Sequence, residues 1–154
     1  MLFRSFLQRC GVVGAIGTIS AIGVVASSGG AALAQTGLVY QPGTISSSSE
    51  LTDTLSTKDI PTGQGGFARD YKISLTAGDR VEIRATSDSF DTVLMLIADD
   101  GSSIAENDDG PDGTNSMIFT SIQNTGEYIV RLQTFGKAVG GPFKLKVTRL
   151  QPIQ

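Results

Sequence analysis

The chain has 154 residues, a length typical of one domain, and 40% of them are hydrophobic, which argues against a disordered acidic tail. Its 15 acidic residues exceed its 12 basic ones, so the net charge is −3 and offers no positive field for nucleic acid. The sequence has no histidine, and its single cysteine, Cys10, lies in a segment predicted to be removed. Most nucleophilic and transition-metal chemistry is therefore excluded.

Residues 1–34 are predicted to form a secretory signal peptide that is cleaved after Ala34. Two arginines in the first nine residues give a basic start, and residues 10–26 form an uncharged run of small and apolar residues. The Ala-Leu-Ala sequence at 32–34 supplies the small side chains that a signal peptidase site requires. This pattern predicts a secreted or periplasmic protein, with no nucleic-acid partner and no membrane association after cleavage.

Two other interpretations of this segment are weaker. An uncleaved membrane anchor is disfavoured because the glycines between residues 11 and 23 weaken a spanning helix. Lipid attachment at Cys10 is disfavoured because a lipid-modified cysteine should follow the apolar run, whereas Cys10 opens it. Removal of residues 1–34 leaves ten basic and fifteen acidic residues, a net charge of −5, which suits an exported domain.

The residues after the signal peptide are divided into a linker, a domain and a short tail. Residues 35–49 are predicted to be a linker, because Gln-Pro-Gly at 41–43 signals a turn and a run of serines follows at 46–49. The domain is predicted over 50–150 and the tail over 151–154.

Short alternating segments fill the predicted domain. Alternation of apolar and polar residues is typical of a strand with one buried face, and it occurs at 71–75, 81–85, 128–132 and 143–147. Residues 93–98 are almost entirely apolar, and so short a run favours a central strand over a buried helix. Further strands are predicted near 50–55, 104–106 and 117–121. About eight strands predict an all-β fold, an antiparallel β-sandwich of jelly-roll type.

The acidic residues are concentrated in one part of the chain. No basic residue occurs between Arg84 and Arg131, whereas nine of the fifteen acids do. Oxygen ligands held close together favour a bound cation, and Ca²⁺ is the natural one outside the cell. The candidate ligands are Asp88, Asp91, Asn107, Asp108, Asp109 and Asp112. The alternative is an ordinary solvated turn, since Asn, Asp and Gly are turn formers and the spacing does not match the helix-loop-helix calcium pattern.

Catalytic function is not expected. The serines have no histidine to act as a base, and Asp91-Thr92-Val93 lacks the glycine that follows Asp-Thr in aspartic proteases. A carboxylate-based hydrolase is the remaining enzymatic alternative. It would need a deep cleft with aromatic platforms, and the chain has no tryptophan.

Five short motifs follow one another along the predicted domain, each occurring once. They are Leu-Thr-Ala-Gly-Asp-Arg-Val-Glu-Ile at 75–83, Phe-Asp-Thr-Val-Leu at 90–94, Ile-Ala-Glu-Asn-Asp-Asp at 104–109, Thr-Gly-Glu-Tyr at 125–128 and Gly-Gly-Pro-Phe-Lys-Leu at 140–145. In this order and spacing they resemble the bacterial pre-peptidase C-terminal (PPC) domain family. The resemblance extends over about residues 50–150.

The resemblance implies a jelly-roll β-sandwich that is normally appended to secreted proteases and is credited with aiding secretion or binding insoluble substrate. Relatives on collagen-degrading enzymes look like calcium-stabilised collagen binders. Asp59 and Asp70 match aspartates of their calcium site and form a second, weaker pair of candidates. The acidic segment that precedes the first strand in that family has no counterpart in 40–49. No peptidase domain precedes the module, so a stand-alone secreted module is expected.

The predicted function is non-catalytic binding of an extracellular polymer, protein or cell-surface component, with Ca²⁺ as the one candidate cofactor. The alternative is a structural or secretion-accessory domain that works with a separately encoded exported peptidase. Exposed aromatic residues would form the binding platform. Tyr71, Phe135 and Phe143 are the candidates, but the strand phase favours core positions for Tyr71 and Phe143.

Overall fold

The computed structural model of the protein describes residues 40–111 and 113–150. The predicted signal peptide, the tail at 151–154 and the candidate ligand Asp112 lie outside the described residues. No helix among the described residues is long and apolar enough to cross a membrane.

The described residues form ten β-strands and no helix. The strands are β1 (Gly43–Thr44), β2 (Ser49–Leu55), β3 (Ile60–Pro61), β4 (Phe67–Leu75), β5 (Arg80–Thr86), β6 (Thr92–Ile97), β7 (Ser103–Asn107), β8 (Ser116–Ser121), β9 (Gly126–Thr134) and β10 (Gly141–Leu150). The eight predicted strands are present as β2 and β4 to β10, so the all-β prediction is confirmed. The additional strands β1 and β3 have two residues each, too few to produce an alternating pattern.

Two sheets make up the sandwich. The first sheet has the strand order β1-β4-β9-β6-β7, with β3 also pairing to β4, and the second sheet has the order β2-β10-β5-β8. Four antiparallel pairs are nested in chain order: β2 with β10, β4 with β9, β5 with β8, and β6 with β7. This nesting is that of a long hairpin rolled onto itself, with β6 and β7 at its tip, which is a jelly roll.

Apolar side chains from both sheets meet in one core. Alternate residues of β5 and β9, and of β10 up to Val147, are buried, as the period of two requires. β4 alternates in the same way from Tyr71 to Leu75, whereas Ala68 and Asp70, which have the opposite phase, are also buried.

Tyr71 and Phe143 are both in this core, with their ring centroids 6.4 Å apart in an edge-to-face arrangement. The predicted central strand is β6, which lies between β9 and β7 and buries both Val93 and Leu94.

Part of the stretch predicted as linker is packed onto the domain. Gly43 and Thr44 pair in parallel with β4, and the Ile45 N–H donates a hydrogen bond to the Lys72 carbonyl oxygen at 2.9 Å. Ile45 is buried in the core. The packed body therefore begins before residue 50. The sequence did not predict this, because an isolated isoleucine within a polar tract gives no periodic signal.

Two loops meet the start of β6 at one end of the sandwich. The Phe135 N–H, just after β9, donates to the Asp91 carbonyl oxygen at 2.8 Å, and the Thr92 N–H donates to the Thr114 carbonyl oxygen at 3.0 Å. The β7–β8 loop and the β9–β10 loop are thereby held on either side of Asp91. This junction positions most of the predicted calcium ligands.

Candidate binding sites

Asp91 lies among like charges at this junction. Burial raises the pKa of Asp91, and the negative charges of Asp109 and Asp108 raise it further. One carboxylate oxygen of Asp91 is buried and has no hydrogen-bond partner among the described residues. The structure therefore brings Asp91, Asp108 and Asp109 close enough for their charges to interact.

The other predicted ligands are used differently. The Asn107 side-chain amide donates to the Met117 carbonyl oxygen at 2.8 Å, and its oxygen accepts the Asp109 N–H at 3.0 Å, so it holds the loop in shape. Asp88 is exposed and lines a separate depression beside Lys144. Within residues 40–111 and 113–150, no three acidic side chains are grouped so that they could hold a metal ion.

Asp59 and Asp70, the second pair of calcium candidates, are both ion-paired with arginines. Asp59 accepts from Arg69 Nε at 2.7 Å and from the Ser56 N–H at 2.7 Å. Asp70 is buried and accepts from Arg131 Nε at 2.7 Å and Nη2 at 2.8 Å. Guanidinium groups balance both carboxylates in this structure.

These ion pairs border a cleft of about 540 Å³ at the edge where β2 and β4 face each other. Arg69 bridges Asp59 and Asp53 there, and Asp53 also accepts the Tyr71 hydroxyl at 2.8 Å. Burial and the neighbouring Asp53 raise the pKa of Tyr71, and burial and the hydrogen bond to Asp70 raise the pKa of Tyr40 to about 12. Both phenols are therefore protonated donors near neutral pH, and each is already bonded to a carboxylate.

A second cleft, of about 470 Å³, opens on the outer face of the first sheet and is called the Phe135 cleft below. Phe135 is 56% exposed at its rim, and Val93 contributes to its lining. The polar side chains that line it are Gln64, Glu106, Asn107, Asp108, Gln133 and Thr134. Within the part of the chain that the structure describes, no basic residue lines this cleft. The sequence marked Phe135 as a platform candidate, whereas Gln64 and Gln133 carried no signal because the fold alone brings them together.

The two-sheet fold and its open clefts define a β-sandwich module. Residues 68–134, which span its centre, match the model of the bacterial pre-peptidase C-terminal domain family. Domains of this family are non-catalytic, extracellular β-domains that are often associated with peptidases. The resemblance inferred from the sequence motifs is confirmed.

Two of the solved structures that match this fold illustrate the similarity. The pre-peptidase C-terminal domain of a collagenase from Bacillus anthracis has a TM-score of 0.53 at 12% identity, covering 70% of this chain and 94% of its own. PliG from Aeromonas hydrophila, a periplasmic inhibitor of g-type lysozyme, has a TM-score of 0.53 at 14% identity, covering 71% of this chain and 98% of its own. No curated protein matches the sequence.

Proposed function

We propose that this protein is an exported, non-catalytic module that binds an extracellular polymer at the Phe135 cleft. The observation that carries the proposal is the exposed ring of Phe135 at the rim of a cleft lined by amide and carboxylate side chains. A flat apolar ring beside convergent polar groups is a general arrangement for holding a ligand in a fixed orientation. The match of residues 68–134 to a family of non-catalytic, extracellular domains supports the same conclusion.

The chemistry of the cleft favours an uncharged polysaccharide. Sugar rings have an apolar face that packs on an aromatic ring and hydroxyls that bond to amides and carboxylates. Glu106 and Asp108 would repel an anionic chain, and the lining offers no cation to compensate. A neutral glycan can therefore pack on the Phe135 ring and also form hydrogen bonds with the polar side chains of the cleft.

The test compares two exposed phenylalanines. The purified protein is passed over insoluble cellulose, chitin and starch, and Phe135→Ala is expected to bind the retaining polymer about tenfold more weakly. Phe119→Ala is the matched control, because Phe119 is 60% exposed but lies on the second sheet. Equal losses in both variants, or no retention of the unmodified protein above a tag control, would overturn the proposal.

The association of the family with peptidases favours a second candidate, a secretion-accessory domain that works with a separately encoded peptidase. This candidate predicts that a peptidase co-purifies with the native protein in fixed proportion. It also predicts that Phe135→Ala leaves that co-purification unchanged, which separates it from polymer binding.

Calcium binding is a further proposal, and the described residues fit it in part. The orphaned oxygen of Asp91 and its two acidic neighbours would gain from a cation, although no three acids are grouped to hold one. If Ca²⁺ binds here, millimolar Ca²⁺ should raise the melting temperature relative to EDTA, and Asp108→Ala and Asp109→Ala should each abolish the increase. An unchanged melting temperature in the unmodified protein would exclude the ion.

A further inference from the structure

The outer face of the second sheet is rich in cations although the protein is acidic. Four basic side chains point outward from its two central strands: Arg80 and Arg84 from β5, and Lys144 and Lys146 from β10. We call this surface the basic face. It contrasts with residues 35–154 as a whole, which carry a net charge of −5.

The strand register brings these cations together. Lys144 and Lys146 are two residues apart on β10 and therefore lie on the same face, about 7 Å apart along the strand. Arg84 is the register partner of Lys146 on the adjacent strand, at a cross-strand spacing of about 5 Å. The three charges form a compact triangle at the centre of the sheet.

Acidic residues offset only part of this charge. Glu82 pairs with Arg84 at 2.7 Å, and Glu50 is the register partner of Lys146 on β2. No ion pair within residues 40–111 and 113–150 involves Lys144 or Lys146. Asp88 lines a depression together with Lys144, Thr52 and Thr86. Four cations against the three carboxylates of Glu50, Glu82 and Asp88 leave an excess of one positive charge on this face.

The surface around Lys144 carries hydroxyl groups, whereas Met117 and the exposed Phe119 lie beside Arg84 and Glu82 on the β8 side of the face. Thr52 and Thr86 are the register partners of Lys144 on the two neighbouring strands, and both are exposed. A pleated surface of this kind presents lysine ammonium groups and threonine hydroxyls in rows that an extended chain can follow. A polymer with repeated anionic groups contacts several of these cations at once, so weak individual contacts combine.

We propose that the basic face binds an extracellular polysaccharide with repeated carboxylate groups, by a contact separate from the Phe135 cleft. Charge complementarity carries the proposal: the cations are grouped on one face of a protein whose remaining surface repels anions. A carboxylated sugar chain supplies both the negative charges for the lysines and the hydroxyls for the threonines. The binding is therefore mainly electrostatic and depends on salt.

The experiment measures binding of the full chain to polygalacturonate, with its fully methyl-esterified form as the uncharged counterpart. The unmodified protein is expected to bind polygalacturonate and not the ester, with affinity falling at least tenfold between about 50 and 200 mM salt. Lys144→Glu/Lys146→Glu should lose at least tenfold in affinity at low salt. Lys144→Arg/Lys146→Arg should retain binding, which shows that charge and not the lysine shape is required.

A charge-matched control separates the face from the net charge of the protein. Lys58→Glu/Lys137→Glu makes the same change at two exposed lysines in loops, and it should lose less than threefold. Equal losses in the two double variants would overturn the proposal, as would equal binding to the ester. Stronger binding to phosphatidylglycerol vesicles than to polygalacturonate would also overturn it, in favour of a membrane surface.

The two proposed sites can fail independently. Phe135→Ala should leave polygalacturonate binding unchanged, and Lys144→Glu/Lys146→Glu should leave retention on the neutral polysaccharide unchanged. Loss of both activities in either variant would show that the two faces do not act separately.

Discussion

Burial and the like charges of Asp108 and Asp109 make the ionised form of the Asp91 carboxylate unfavourable. One of its oxygens has no hydrogen-bond partner in the described part of the chain, and its pKa is raised by burial and by Asp109 and Asp108. The folded state therefore binds a proton more readily than the unfolded chain, in which the pKa is about 3.9. It follows that the contribution of Asp91 to stability falls as the pH rises through its folded pKa.

Replacing Asp91 by asparagine removes this charge. In EDTA at pH 7, Asp91→Asn should raise the melting temperature by about 3 °C, and the gain should shrink as the pH falls through the raised pKa of Asp91, because the aspartate then becomes neutral. The control Asp88→Asn lies at an exposed position and should change the melting temperature little. A destabilised Asp91→Asn protein in EDTA at pH 7 would contradict this account.

Only part of the residue-level picture could be predicted from the sequence. The phase of the strands correctly placed Tyr71 and Phe143 in the core. The partner of Asp70 could not be predicted, because Arg131 is 61 residues away and is brought to it by the pairing of β4 with β9. The acids around Asp91 were found by composition, but their exact arrangement depends on how two loops fold.

At the scale of elements, Gly140 controls how β10 joins β2. Its φ is +105°, and a Cβ added there would lie 2.5 Å from the Leu55 carbonyl oxygen. Gly140→Ala therefore combines backbone strain with a clash against the neighbouring strand and should cost about 3 kcal/mol of unfolding free energy.

Gly78 provides the control for this prediction. Its φ is +92°, but a Cβ there would meet nothing within 4 Å, so Gly78→Ala should cost only about 1 kcal/mol. Urea unfolding of both variants measures the difference. Equal costs would show that strain alone, and not the approach to Leu55, requires glycine at position 140.

Strand existence was predictable and strand partnership was not. The alternation along 71–75 or 143–147 arises because one face of the strand is buried, so each strand can be predicted from its own residues. The pairing of β10 with both β2 and β5 depends on contacts between distant parts of the chain. The jelly-roll prediction was reached through strand number and family resemblance, and the observed nesting agrees with it.

At the scale of the whole molecule, the nested pairing predicts slow folding. The outermost pair joins Ser49 to Val147, and the nesting leaves the hairpin of β6 and β7 as the one local pair among the four. Because long loops must close before such contacts stabilise the fold, refolding in water should take milliseconds to seconds. Stopped-flow tyrosine fluorescence measures this rate, and refolding in microseconds would contradict the prediction.

The pairing of β2 with β10 also places the first and last long strands of the described chain side by side. Ser49 at the start of the roll and Val147 near its close are register partners on neighbouring strands. Removal of β2 would therefore leave β10 as an unpaired edge of the second sheet, and such an edge readily pairs with another chain.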